Sequence, residues 1–307
     1  MTGEQGGGLK KLWQKVLEDN QHARMASAEK SNEERATKEP EMISQEKLQL
    51  LGDRMLEIGE SMAQMQGSVG SKLKEDGSPV TAADLKAEGE IIEMAERLFP
   101  GWPTVSEETN NESIPGPSYK SIDGLDGTRW FTAGLEGWCL AIGFVRDGVP
   151  IAGVIVQPSR NQCFLALKGA GVHTREGSST KWNRFVRARA DRPMFGTDLD
   201  RTSAGDPNDP YWTNVRNLCA KLGEYPFNSP SIPAALSVME GKFWGWMSKN
   251  AKNWDVAASY VLIEELGGVV EQLDGTPLPW DSIKMPPFLI AESPDQADRI
   301  RSVLEIS

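Results

Sequence analysis

Between residues 43 and 65 the apolar positions Leu48, Leu51, Met55, Ile58 and Met62 recur at helical spacing, which predicts an amphipathic helix. A second helix is predicted over 82–99, with Leu85, Ile91, Ile92, Ala95, Leu98 and Phe99 on its apolar side, and Pro100-Gly101-Trp102-Pro103 stops it. The texture then changes. Three β-rich runs, 138–146, 149–157 and 162–168, follow one another, with Asp147-Gly148 as a tight hairpin turn between the first two. An antiparallel meander is expected there. Further on, helices are expected near 211–222, 234–240, 255–266 and 294–306, the third closed by Gly267-Gly268, and strands at 269–273 and 288–291.

Residues 1–41 are polar and charge-rich, with one short apolar pattern (Leu9, Leu12, Trp13, Val16) compatible with a small helix. This stretch is expected to be a flexible extension outside the core. The remainder alternates helices and strands in both halves, the pattern of an α/β (α+β) chain. We divide it into an N-terminal subdomain over 42–190 and a C-terminal subdomain over 191–307.

The chain has 307 residues, 39% hydrophobic and 25% charged, enough for two packed subdomains. Its net charge of -11 argues against a nucleic-acid polymer or an anionic membrane as partner. No segment approaches the length of a membrane span and no leader pattern is evident at the N-terminus, so a cytoplasmic protein is expected. The three cysteines, Cys139, Cys163 and Cys219, form no paired motif, and the two histidines, His22 and His173, lie far from any nucleophile motif.

Carboxylates stand out at four places. Ser106-Glu107-Glu108 follows a short β-prone Thr104-Val105; Asp123-Gly124-Leu125-Asp126-Gly127-Thr128 spaces two aspartates around a turn; Asp255 opens the predicted helix after Trp254; Asp84 opens an earlier one. Each has a local explanation. Asp123-Gly124 is a common turn pair, Thr81 with Asp84 fits a capping box, Asp255 suits a helix N-terminus, and Glu107-Glu108 suits a solvated loop. Together they also suit hard divalent cations, which take oxygen ligands, with the Gly127-Thr128 amides as an anion site beside them.

In this order, Asp84, Ser106-Glu107-Glu108, Asp123 to Thr128, then Trp254-Asp255-Val256-Ala257-Ala258 with Gly267-Gly268, the chain from about Lys47 onward resembles the inositol monophosphatase superfamily of lithium-sensitive, magnesium-dependent phosphatases. The resemblance implies a layered αβαβα sandwich with the active site at the junction of the two halves. It implies two or three Mg²⁺: the first held by Glu107, Asp123 and the Leu125 carbonyl, the second by Asp123, Asp126 and Asp255. Glu107, Thr128 and Asp84 would be catalytic, positioning the attacking water, with Gly127 and Thr128 on the phosphoryl group. A small phosphorylated metabolite is the implied partner, and a homodimer is expected. Departures from the family pattern are Gly124 in place of proline, Ser106 and Ser259 in place of glycine, and Arg129-Trp130 in place of a small or polar pair. The acid that grips a substrate hydroxyl in inositol enzymes is missing from 247–252, where Lys249 and Lys252 stand. Arg129 and Lys249 are therefore expected to bind a second anionic group of the substrate.

Overall fold

The computed structural model describes residues 40–74, 77–109, 112–199 and 209–305. The short helix expected around Leu9 to Val16 lies outside these residues. Helix α1 (Gln45–Ala63) is capped by Ser44, whose hydroxyl accepts from the Lys47 amide. The expected extension ends earlier than 41, because Glu41 is already docked: its carbonyl accepts from the Trp102 indole (2.8 Å) and its carboxylate pairs with Lys47.

Strands β1 (Ser71–Leu73) and β2 (Pro79–Thr81) form a small antiparallel ribbon leading into α2 (Ala82–Leu98). A seven-stranded sheet follows, built from β3 (Thr104–Ser106), β4 (Tyr119–Asp126), β5 (Cys139–Arg146), β6 (Val149–Gln157), β7 (Gln162–Leu167), β8 (Gly171–Glu176) and β9 (Asn183–Arg184), neighbours in that order. The first pair is parallel and the rest are antiparallel; β5 to β7 are the expected meander, turning at Asp147-Gly148 with both residues at positive φ, and β4, β8 and β9 extend it. Helix α3 (Thr128–Thr132) is a single short turn after β4.

The second sheet has five strands in the order β11-β10-β12-β14-β13: β10 (Met194–Thr197), β11 (Phe227–Asn228), β12 (Phe243–Ser248), β13 (Val269–Gln272) and β14 (Phe288–Ala291). Helices α4 (Pro210–Leu222), α5 (Ser231–Met239), α6 (Ala257–Glu264) and α7 (Pro294–Arg301) complete the chain. Helix α5 begins three residues before its expected start, tolerating Pro233 within its first turn, and α7 ends at Arg301 rather than near 306.

Apolar side chains sort these elements into five layers. Leu51, Met55, Ile91 and Ala95 of α1 and α2 pack on one face of the large sheet, against Ile122, Leu140, Ile142 and Phe144. The other face, with Cys139, Ala141, Ile155 and Phe164, meets α5 and α6, which also cover Trp246, Phe288 and Ile290 of the small sheet. The outer face of that sheet, with Phe195, Trp244 and Leu289, is covered by α4 and α7. The result is an αβαβα sandwich, as the resemblance implied.

Close approach fixes the seam. Gly143 and Gly153 stand opposite each other on β5 and β6. A Cβ on the first would lie 2.6 Å from the Ala257 Cβ, and one on the second 2.4 Å from the Ala258 carbonyl oxygen. The paired glycines form a notch into which the start of α6 sinks.

Candidate active site

Backbone direction gathers the chemistry at one end of both sheets. Strands β3 and β4 run parallel, so Glu107 after the first and Asp123 to Asp126 at the end of the second emerge together. Strands β10 and β12 also run parallel, so Asp198 and the stretch 249–252 emerge together. A cleft of about 720 Å³ lies between the two sets, its lining including Glu107, Leu125, Asp126, Gly127, Thr128, Arg129 and Asp255.

Asp255 does not open a helix as expected. It ends a 3-10 turn (Asn253–Asp255), and α6 begins two residues later. Its carboxylate accepts from the Lys252 amide (2.6 Å), and the turn is tied to β4 by the Ser121 hydroxyl, which donates to Asn253 Oδ1 (3.1 Å). With α6 in the glycine notch, a carboxylate from the second half is thereby set beside those of the first.

Asp123 is almost wholly buried. One oxygen accepts from the Leu125 amide (2.9 Å) and the other, Oδ2, has no hydrogen-bond partner. Asp126 accepts from the Ile232 amide at the start of α5 (2.6 Å) and from its own neighbour Gly127. The Gly127 amide is thus directed to Asp126. Burial, together with the charges of Glu107, Asp126 and Asp255, holds Asp123 well above the ordinary carboxylate range. Asp255 is raised for the same reasons, by burial first and then by Asp126 and Glu107, while burial pushes Asp126 up to about 7, with Glu107 and Asp198 adding to it.

Thr81 and Asp84 do form the capping box at the start of α2: Asp84 Oδ2 accepts from the Thr81 amide (2.8 Å) and hydroxyl. Its other oxygen accepts from the Thr128 hydroxyl (2.8 Å). One aspartate therefore caps a helix and reaches the cleft lining through Thr128. Burial raises its pKa against the pull of these hydrogen bonds.

Two of the departures from the family pattern, Gly124 and Ser106, pack around one residue, Glu88. A Cβ at Gly124 would lie 2.8 Å from both the amide nitrogen and Cβ of Glu88, so α2 presses directly on the ligand-bearing strand. The fully buried Glu88 carboxylate accepts from the hydroxyls of Ser106 (3.0 Å) and Thr109 and from the Glu108 amide (2.8 Å). Ser106 supplies a bond where glycine could not. Lys74, remote in sequence, bridges Glu107 (2.6 Å) and Glu108 (2.5 Å). Burial alone would lower its pKa, but the two glutamates outweigh this and raise it.

Lys249 is not where the sequence suggested. Its ammonium pairs with Asp209, and the cleft wall is formed instead by Asn250, Ala251 and Lys252. Asp198, which sequence patterning did not single out, lines the cleft and accepts from the Ser248 hydroxyl (3.2 Å). Lys284, equally unmarked, lies opposite Lys252.

The residues present suit a hard divalent cation. Oxygen donors surround the cleft floor, an unpartnered Asp123 oxygen is buried behind it, and the carboxylates raise one another's pKa values. Among the described residues no three Asp, Glu, His or Cys side chains close into a ready-made cage.

The profile of the inositol monophosphatase family matches residues 45–302. An inositol-1-monophosphatase of Synechocystis is 29% identical over 244 residues, covering 75% of this chain and 80% of the relative. A 3'(2'),5'-bisphosphate nucleotidase CysQ of Aggregatibacter actinomycetemcomitans is 29% identical over 241 residues, covering 75% and 86%. The solved structure of extragenic suppressor protein suhB from Bartonella henselae superposes with a TM-score of 0.68 at 22% identity, covering 84% of this chain and 98% of that one.

Proposed function

Because the chain belongs to the inositol monophosphatase family and is a phosphoric monoester hydrolase, we propose that it is a Mg²⁺-dependent phosphatase of a small phosphorylated metabolite. The observation that carries the metal requirement is the buried Asp123 oxygen without a partner, set among carboxylates that repel one another. Glu107, Asp123, the Leu125 carbonyl, Asp126 and Asp255 would hold the metal ions. Bound there, Mg²⁺ supplies Lewis acidity and neutralises the charge of the phosphoryl and leaving oxygens.

The chain's own groups do the rest. Asp84 takes the Thr128 hydroxyl proton into a hydrogen bond, which turns the threonine lone pairs toward the cleft to accept from the attacking water. Glu107, which lines the cleft, would hold that water and receive its proton. The phosphoryl group would lie at the Thr128 amide beside Arg129, both in the cleft lining, and the Arg129 guanidinium suits phosphate oxygens. We also propose that the protein works in the cytoplasm as a homodimer.

Phosphate release measured with and without Mg²⁺ tests this reading. Turnover is expected to need the metal, to fall in millimolar Li⁺ but not in matched K⁺, and to drop by more than about a hundredfold in Asp123→Asn at unchanged circular dichroism. Near-normal turnover of that variant would remove the assignment.

A further inference from the structure

Two lysines of the cleft lining, Lys252 and Lys284, face each other across an isolated antiparallel bridge. The bridge is held by the Asn253 amide on the Ile283 carbonyl (2.8 Å) and the Met285 amide on the Ala251 carbonyl (3.0 Å). Residues directly opposite in such a bridge project their side chains to the same side, and like charges placed so repel. Among the described residues neither ammonium makes an ion pair; Lys252 feels Asp255 only at longer range. In a chain of net charge -11 with many acids available, this wall of the cleft carries two cations that form no ion pair among the described residues.

We propose that Lys252 and Lys284 form a second anion subsite, so that the substrate is a phosphate monoester bearing another phosphate or carboxylate. The proposal rests on the phosphatase reading and narrows it to a substrate class. An anion between the two ammonium groups turns a repulsive pair into two charge-assisted contacts. The neighbouring floor, with Asp126, Asp255 and Asp198, would otherwise repel a second negative group, so local cations are required to admit one. Lys252 stands three residues before Asp255 and donates its amide to that carboxylate, which sets the subsite on the Asp255 side of the cleft. The cleft volume of about 720 Å³ leaves room for a bis-anionic metabolite.

The test uses α,ω-alkanediol bisphosphates of two to six carbons, each paired with its monophosphate, on the full chain with Mg²⁺. At one spacing at least, wild type is expected to favour the bisphosphate in kcat/KM by roughly tenfold to a hundredfold. In Lys284→Gln that ratio is expected to collapse towards one, and in Lys284→Arg to be largely retained. A second readout needs no turnover. In Lys284→Gln the extra Tm gain that bisphosphates give wild type is expected to vanish. A ratio near one at every spacing, or one unchanged by Lys284→Gln, overturns the subsite. Selective thermal stabilisation by bisphosphates, lost in Lys284→Gln, supports it even where no ester is hydrolysed, and in that case the phosphatase reading is what fails.

Discussion

Thr128 shows how much one hydroxyl can tie together. It donates to Asp84, the residue that caps α2, while its own backbone begins α3 at the cleft. Thr128→Val would leave a buried aspartate oxygen without its donor, a loss of about 1–3 kcal/mol, and would remove the acceptor offered to water. Turnover is expected to fall by about a hundredfold or more, with Tm lowered, whereas Thr128→Ser keeps both readouts near wild type. At this scale the sequence was informative where residues act through close spacing. Asp123 and Asp126 share a strand end, and Thr81 and Asp84 share a helix turn, so their grouping follows from local geometry. Lys249 and Lys252 were not separable that way. Which of them meets the cleft depends on the Asp209 partner of the first and on the bridge to Lys284 of the second, and both partners are remote along the chain.

Among the elements, the meander was legible because Asp147-Gly148 and Pro158 punctuate long apolar runs, and α1 and α2 because one face alone is apolar. Strands β10 and β12 were missed. The sequence Phe243-Trp-Gly-Trp-Met-Ser248 is buried on both faces and shows no alternation, and Met194–Thr197 is too short to show any. The 3-10 turn before α6 was not legible because, beyond its own local bonds, it is fixed by remote ones to Ser121 and to the Ile283 carbonyl. The glycine notch gives this element its own prediction. Gly153→Ala places a methyl against backbone atoms that cannot swing aside, so a destabilisation of about 1–3 kcal/mol is expected from the denaturant midpoint. Because Asp255 ends the turn that leads directly into α6, the same variant is expected to bind Mg²⁺ several-fold more weakly by calorimetry.

Over the whole molecule, the buried acidic groups make stability depend on pH. Burial pushes Glu88 and Asp126 up to about 7 and Glu108 up to about 8, whereas in the unfolded chain such groups titrate near 4. The folded protein therefore holds these protons more tightly than the unfolded one. Their contribution is fully present below about pH 4 and is lost as pH rises through 7 to 8. Metal-stripped protein is expected to show a falling Tm between pH 5 and pH 8, and saturating Mg²⁺ to flatten that slope; a Tm that rises over this range without metal would contradict the burial described.

The paired glycines also bear on how the protein melts. Since α6 of the second half is sunk into the sheet of the first, neither half has a complete surface of its own at that face. Pulling them apart would expose Ile155, Phe164, Trp246 and Phe288 together, so the partition between halves is one of chain order and not of cooperativity. The two sheets therefore melt as a single cooperative unit.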